Sequence, residues 1–234
     1  MIQAGHLSET QLDLLLSHLP VGLSMADEHD VVCFWAGATF VDCDPAVAGH
    51  DLRGCHPASA RRSLDSLLDS LKSGTRDVVD RVERSSLGME RFIYTALRNG
   101  GVYRGVLQTV LPVEWAEGGG RVPKAGRLTE DHLALVSAHM PIGLSFADEG
   151  GVLRFWAGGA FAACDPDLIG RDLVEGHERR ARPAVAKLLK DLESGARDEV
   201  STEDGAERIV YTALRDDDGV YRGVLETVLP MGKA

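Results

Sequence analysis

Two histidines stand where an imidazole could bind a metal. His56 and His177 each end a short Gly-containing segment directly before a predicted helix. A neutral imidazole is a standard axial ligand of haem iron, so both are candidate haem ligands. The alternative is structural, with each ring hydrogen-bonded to backbone near the first helical turn. Cys55, beside His56, adds a thiol whose thiolate a neighbouring imidazole or helix N-terminus would stabilise, so it is a candidate redox or haem-thiolate residue.

The spacing of the cysteines argues against several other metal and redox sites. The four cysteines, Cys33, Cys43, Cys55 and Cys164, form no Cys-x-x-Cys pair, which leaves a structural zinc or thioredoxin-type site unsupported. An iron–sulfur cluster usually takes four cysteines, and the second half of the chain has one. Gly176 stands at the position of Cys55 in the second half, so there is no repeated Cys-His pair for nucleophilic catalysis. We expect four free thiols in a reducing compartment.

Two aromatic pairs close the second predicted strand of each half. Phe34 precedes Trp35, and Phe155 precedes Trp156. Because neighbouring side chains of a strand point to opposite faces, one ring of each pair lines an inner pocket. Trp35 and Trp156 are therefore candidate cofactor-binding residues. The other ring faces outward, where it either forms an interface or is covered by the N-terminal helix.

A further pair, His18 and His139, ends the N-terminal helix predicted in each half. A histidine at a helix C-terminus interacts well with the helix dipole and can bond the last carbonyls. The alternative is a ligand, or a pH-responsive contact between helix and sheet.

These candidates recur in pairs because the chain is an internal repeat. The segment HLPVGLSMADE at 18–28 returns as HMPIGLSFADE at 139–149, and YTALR at 94–98 returns at 211–215. Self-similarity over a long period indicates two copies of one structural unit. We predict domains at residues 1–112 and 128–234, joined by a linker at 113–127 whose Gly run and Pro123 break regular structure.

Hydrophobic periodicity predicts the same elements in each copy: an amphipathic helix, a hairpin, a short irregular segment, a longer helix and three strands. This order implies an α+β fold, in which helices pack on one face of a five-stranded antiparallel sheet. In the first copy the predicted helices are 7–19 and 58–71, and the predicted strands are 21–26, 31–35, 76–84, 90–98 and 102–111.

Charge and composition exclude several partner classes. Lys and Arg number 25 and Asp and Glu number 36, so the formal net charge is −11. Such an acidic chain repels nucleic acid and anionic membranes. No apolar run approaches the ~18–20 residues that span a bilayer. The residues 1–9 have no signal-peptide pattern, so we expect a cytoplasmic protein.

The order of elements resembles the PAS domain family, over nearly the whole chain and twice. The resemblance is carried by LPVGLSMADEHDVVCFW, by GHDLRGCHP leading into SLDSLLDSLKSG, and by YTALR with GVYRGVLQTVLP. Within that family the sequence is similar to PAS modules of bacterial domain-of-unknown-function proteins that are often linked to haemerythrin-like domains. One departure concerns haem: oxygen sensors of this fold usually carry the ligand further along the long helix, where this chain has Ser63-Leu64 and Ala184-Val185.

The resemblance implies a sensory or protein-interaction module whose pocket holds haem, a flavin, another small ligand or nothing. We expect no enzymatic activity, and signalling in trans through contacts with a partner protein. The alternatives are a haem-binding gas or redox sensor that uses His56 and His177, and a dimerisation scaffold with empty pockets. Apolar stripes on the N-terminal helices predict a homodimer, unless they pack on their own sheets or on each other. Because Gly176 and Glu178 replace Cys55 and Pro57, we expect the first copy to hold the ligand.

Overall fold

The computed structural model describes residues 3–40, 43–85, 87–115, 121–161 and 164–231. They form a mixed α+β fold with two antiparallel sheets, which confirms the predicted fold class. The first half holds β1 (Gln3–Gly5), α1 (Glu9–Leu16), β2 (Gly22–Asp27), β3 (Val32–Ala36), α2 (Ala58–Lys72), β4 (Val78–Ser85), β5 (Gly88–Asn99) and β6 (Val102–Pro112). The second half holds β7 (Lys124–Gly126), α3 (Glu130–His139), β8 (Gly143–Asp148), β9 (Leu153–Ala157), α4 (Arg182–Glu193), β10 (Glu199–Asp204), β11 (Glu207–Arg215) and β12 (Tyr221–Pro230).

Each sheet has six strands rather than the predicted five. The strand orders are β4-β5-β6-β2-β3-β7 and β10-β11-β12-β8-β9-β1, so the two sheets have the same topology. The sixth strand is the three-residue segment before each N-terminal helix. Lys124–Gly126 lies inside the predicted linker, whereas the Gly run at 118–120 lies outside the described residues.

The chain divides into two compact units, each made of separate stretches of the sequence. The first-repeat unit contains residues 21–115 and 122–140, and the described part of the second-repeat unit contains residues 3–20, 121 and 141–231. Strand β7 pairs with β3, while β1 pairs with β9. Each sheet is thus completed by a strand and a helix that come from the other half of the sequence.

A glycine makes the sixth strand possible in each unit. Gly126 has φ +76°, and a Cβ there would lie 2.1 Å from the carbonyl oxygen of Cys33. Gly5 has φ +80°, and its Cβ would lie 2.0 Å from the carbonyl oxygen of Arg154. Only glycine allows this backbone conformation together with so close an approach. The short segments Lys124-Ala125-Gly126 and Gln3-Ala4-Gly5 therefore act as equivalent edge strands.

The long helix and the central strands form the inner core. In the first-repeat unit, α2 buries its leucine stripe against Trp35 and Tyr94. Arg98 ties the sheet to the C-terminus of α2, because its guanidinium donates to the Leu71 carbonyl at 2.5 Å. In the second-repeat unit Arg215 donates to the Leu192 carbonyl at 2.7 Å. This common contact explains the repeated YTALR motif as a link between sheet and helix.

The described helices are too short or too polar to cross a bilayer. Leu15 and Leu16 of α1, and Leu19 shortly after it, are buried. The homodimer predicted from this apolar stripe stays a prediction.

Candidate functional site

A row of side chains crosses the inner face of the second-repeat sheet. Strand pairing places Trp156 opposite Ser145, Ser145 opposite Glu226, and Glu226 opposite Tyr211. Directly opposite residues of an antiparallel sheet share one face, so all four point toward the core under α4. Ser145, Glu226 and Tyr211 are at most 6% exposed. The core therefore contains a carboxylate surrounded by apolar side chains.

The buried carboxylate of Glu226 collects hydrogen bonds from both neighbouring strands. The Ser145 hydroxyl donates to Glu226 Oε2 at 2.8 Å, and the Tyr211 hydroxyl donates to Oε1 at 3.0 Å. His177 approaches from the loop before α4, where its Nε2 lies 3.1 Å from the Tyr211 oxygen and 3.5 Å from Glu226 Oε1. Such partners are needed because an unpaired buried charge is strongly unfavourable.

The geometry favours a protonated His177. Its Nδ1 must donate to the Leu173 carbonyl, 2.9 Å away, because a carbonyl only accepts. The single Tyr211 hydroxyl proton goes to Glu226, so a proton on Nε2 completes the contact with the Tyr211 oxygen. The hydrogen bond to Glu226 accordingly raises the pKa of His177, against the opposing effect of burial.

The other titratable groups near the carboxylate are held neutral. Burial and then the charge of Glu226 raise the pKa of Tyr211. The same two causes raise the pKa of the Cys164 thiol. The site thus contains one carboxylate and one imidazole with a shared hydrogen-bond network, and no activated phenolate or thiolate.

The first-repeat unit has the same row with one change. Trp35, Ser24, Gln108 and Tyr94 face each other across its inner face. The Ser24 hydroxyl donates to Gln108 Oε1 at 3.2 Å, and Gln108 Nε2 donates to the Tyr94 oxygen at 3.5 Å. A neutral amide therefore occupies the position of Glu226.

Arg81, rather than a histidine, contacts the tyrosine of the first-repeat unit. Its guanidinium donates to the Tyr94 hydroxyl at 3.4 Å and lies 5.1 Å from the ring centroid. His56 donates through Nδ1 to the Leu52 carbonyl at 3.0 Å, as His177 does to Leu173. Both histidines thus form a backbone hydrogen bond at the entry to the long helix.

Both inner tryptophans carry a hydrogen-bond donor without an acceptor. Trp35 is 3% exposed and Trp156 is 1% exposed, and neither Nε1 finds a partner among the described residues. Buried donors of this kind are rare in folded proteins. Phe34 and Phe155 are also buried, at 3% and 2% exposure, so the outward rings offer no open surface.

Cys55 shows no sign of activation. The residue is exposed as a whole, but its thiol is partly covered, and this burial is the main cause that raises its pKa. A raised pKa lowers the thiolate fraction that redox or nucleophilic chemistry needs.

The described residues contain no cluster of three or more His, Cys, Asp or Glu side chains that could hold a metal ion. Haem would need one imidazole nitrogen facing iron. At His56 this would be Nε2, since Nδ1 is used by backbone. At His177, Nε2 already contacts Tyr211 and Glu226, so the imidazole fits iron only if those contacts break.

His18 and His139 connect helix to sheet in equivalent ways. Each donates through Nδ1 to a helix carbonyl at 2.9 Å, of Leu14 and Leu135 respectively. The Nε2 of His18 accepts from the backbone N–H of Arg215 at 3.4 Å, and that of His139 accepts from Arg98 at 3.3 Å. Both imidazoles must be neutral for this arrangement, and desolvation lowers the pKa of His18.

Asp30 of the first repeat is a buried carboxylate with two cationic partners, and the second repeat has no equivalent of this cluster among its described residues. Asp30 is 3% exposed and has φ 64° at the turn between β2 and β3. Its Oδ2 accepts from Arg53 at 2.8 Å and from Lys72 at 2.7 Å. The equivalent positions in the second repeat are Gly151, Val174 and Glu193.

Sequence reasoning missed Glu226, Tyr211 and Ser145. A signal was present, since Glu226 interrupts an apolar strand at a position where the register points inward. The Tyr of the repeated YTALR motif was a second signal of a polar side chain on the inner face.

Comparison with known proteins finds a family similarity for the second repeat. Residues 133–231 match the family model described as PAS domain. Similar solved structures include a C-terminal domain from Streptococcus mutans, at 26% identity over 46% of this chain and 87% of that chain, with a TM-score of 0.42. The sensor region of a sensor histidine kinase matches at 14% identity over 97% and 94% of the two chains, with a TM-score of 0.35.

A third similar structure is the ligand-binding domain of the Pseudomonas fluorescens chemoreceptor CtaA in complex with L-alanine. It matches at 12% identity over 91% of this chain and 73% of that chain, with a TM-score of 0.25. No curated protein has significant sequence similarity to the chain.

Proposed function

Because residues 133–231 match the family model described as PAS domain, we propose that the chain is a non-enzymatic tandem sensory module that binds a small organic ligand in its second-repeat unit. The signal passes to a partner protein by direct contact. The single observation that carries the proposal is the buried Glu226–His177 network on the inner face of the sheet.

This network supports ligand binding better than a purely structural role. A neutral residue suffices at the same position in the first-repeat unit, so the fold does not require a carboxylate there. Trp156 Nε1 beside it is a buried donor that lacks an acceptor. A ligand with a hydrogen-bond acceptor and an apolar body would satisfy this donor and contact the surrounding Leu173 and Leu192.

The proposal can be tested by thermal unfolding of the full chain with a panel of small organic acids, amides and aromatic heterocycles. A ligand that binds only the folded state raises the melting temperature in proportion to its occupancy. We expect the response to weaken at least tenfold in apparent affinity in Glu226→Gln and Ser145→Ala. The matched variant Ser24→Ala alters the equivalent hydroxyl of the first-repeat unit and should leave the response unchanged.

Two outcomes would contradict the proposal. A response abolished by Ser24→Ala but kept by Ser145→Ala would move the ligand to the first-repeat unit. Titration with haemin tests the haem alternative: an absorption band of bound haem that disappears in His56→Ala or His177→Ala would replace the organic ligand with haem.

A further inference from the structure

Strand β4 forms an exposed edge of the first-repeat sheet. Among the described residues its only strand neighbour is β5, so one side of its backbone has no partner strand. Val78 is 50% exposed and Val82 is 53% exposed, and Leu87 and Met89 at the adjoining turn are 51% and 40% exposed. Long edges with exposed apolar side chains are where sheets pair with other chains.

The charges of β4 are self-complementary. Its sequence from Val78 is Val-Val-Asp-Arg-Val-Glu-Arg-Ser. If two copies pair antiparallel with Val82 opposite Val82, then Asp80 faces the partner's Arg84 and Arg81 faces the partner's Glu83. The two-fold symmetry repeats both contacts, so four opposite-charge pairs flank an apolar centre.

We propose that two copies of this chain associate through β4, which joins their first-repeat sheets into one continuous antiparallel sheet. The exposed Val82 is then covered by its own symmetry mate. The exposed Arg84 then lies opposite the partner's Asp80, a carboxylate that also pairs with Arg91 of its own chain at 2.6 Å. Backbone hydrogen bonds along the edge provide affinity, and the charge pattern sets the register.

The equivalent edge of the second-repeat sheet cannot pair in this way. Strand β10 is shorter, and its sequence Glu-Val-Ser-Thr-Glu-Asp contains three acidic residues and no basic one. No antiparallel register of two such strands yields an opposite-charge pair. Strand β10 is therefore an internal control: it is the equivalent edge strand of the other sheet, and we expect it not to self-associate.

Sedimentation equilibrium of the full chain tests the association. We expect a monomer–dimer equilibrium that Val82→Lys weakens at least tenfold, because two lysines then face each other at the symmetry axis. Thr202→Lys, at an exposed position of β10, is the control and should leave the mass unchanged. Arg84→Glu, which faces the partner's Asp80, should weaken the dimer as well, and circular dichroism verifies that each variant is folded.

Crosslinking fixes the register. In a background with Cys43→Ser and Cys55→Ser, Val82→Cys should form an intermolecular disulfide under mild oxidation, since opposite strand positions lie within disulfide distance. Thr202→Cys should not. A monomer at all concentrations, equal crosslinking of both variants, or a mass that grows beyond a dimer would overturn the proposal, the last by indicating pairing of β4 with β10.

Discussion

The inner faces of the two units show how one fold carries two chemistries. Both present the same succession of tryptophan, serine, a polar residue and tyrosine across neighbouring strands. The third position is Glu226 in one unit and Gln108 in the other. In the unit with the carboxylate, His177 contacts Glu226. In the unit with the amide, His56 bonds backbone and Arg81 donates to the Tyr94 hydroxyl. The comparison teaches that, at this third position of the row, the carboxylate and the imidazole that contacts it occur together.

The first-repeat unit has a buried carboxylate with cationic partners at another place. Asp30 lies at the hairpin turn and joins Arg53 to Lys72 at the end of α2. Its carboxylate thus links loop, hairpin and helix at the rim of the sheet. Glu226 instead lies at the middle of its sheet, where a bound molecule could meet it.

The largest effect is expected from Gln108→Glu. This substitution places a carboxylate in the first-repeat unit at the position equivalent to Glu226, where no imidazole of the described residues contacts it. An unpaired buried charge should reduce the free energy of unfolding of the first-repeat unit by about 2–4 kcal/mol at pH 7. Urea denaturation measures the loss, and hydrogen exchange of β6 localises it. Gln108→Met, which is neutral and similar in size, is the control; an equal loss in both variants would refute the role of charge.

A somewhat smaller effect is expected from Asp30→Asn. Arg53 and Lys72 then lose their common carboxylate, but their side chains are 31% and 33% exposed and stay partly hydrated. We expect a loss of about 1–2 kcal/mol, below the value for fully buried pairs. Asparagine tolerates the positive φ, so the variant changes charge alone. Faster hydrogen exchange in β12 than in β3 would contradict this assignment.

Glu226→Gln makes the two rows identical and should cost about 1 kcal/mol through the lost charge-assisted hydrogen bonds. It should also remove a pH dependence. Since the folded pKa of His177 is raised above 6.5, its contribution to stability is full below pH 6.5 and is lost as pH rises through the folded pKa. Chemical denaturation between pH 6 and 9 should show this decline in wild type and not in Glu226→Gln.

The smallest effect concerns His18, whose pKa is lowered by burial. The neutral imidazole contributes stability above pH 6.5, and this contribution is lost as pH falls through the folded pKa. The second-repeat unit should therefore be most stable near pH 6.5, with one histidine responsible for each side of the maximum. His18→Gln should flatten the acidic side only; a change on the alkaline side would contradict the assignment.

The regular elements could be predicted from the sequence to a large extent. The predicted helix at 58–71 is observed as Ala58–Lys72, because its leucines recur at helical spacing. The α+β class and antiparallel sheets follow from the order of such elements. The predicted N-terminal helix at 7–19 is shorter, at Glu9–Leu16, since Ser8 and Gln11 form a capping box at its start.

The site and the sixth strand were harder to predict for different reasons. A three-residue strand has no periodicity, and its partner lies far away in sequence. Glu226 lies in an apolar strand. A charged residue in such a strand is predicted to face solvent unless the strand register is known. The predicted preference for the first copy rested on Cys55 and Pro57 and stays a prediction, since sequence reasoning did not consider the Glu226 network of the second copy.

The crossing of strand and helix between the halves has a topological consequence. In two separate single-repeat chains the same crossing would be a reciprocal domain swap, dependent on concentration. Here both repeats belong to one covalent chain, which keeps each exchanged strand and helix at a high effective concentration near its sheet. The exchange is therefore independent of protein concentration. Dividing the gene between the repeats would give two polypeptides, and each would lack the edge strand and the N-terminal helix that complete its own sheet.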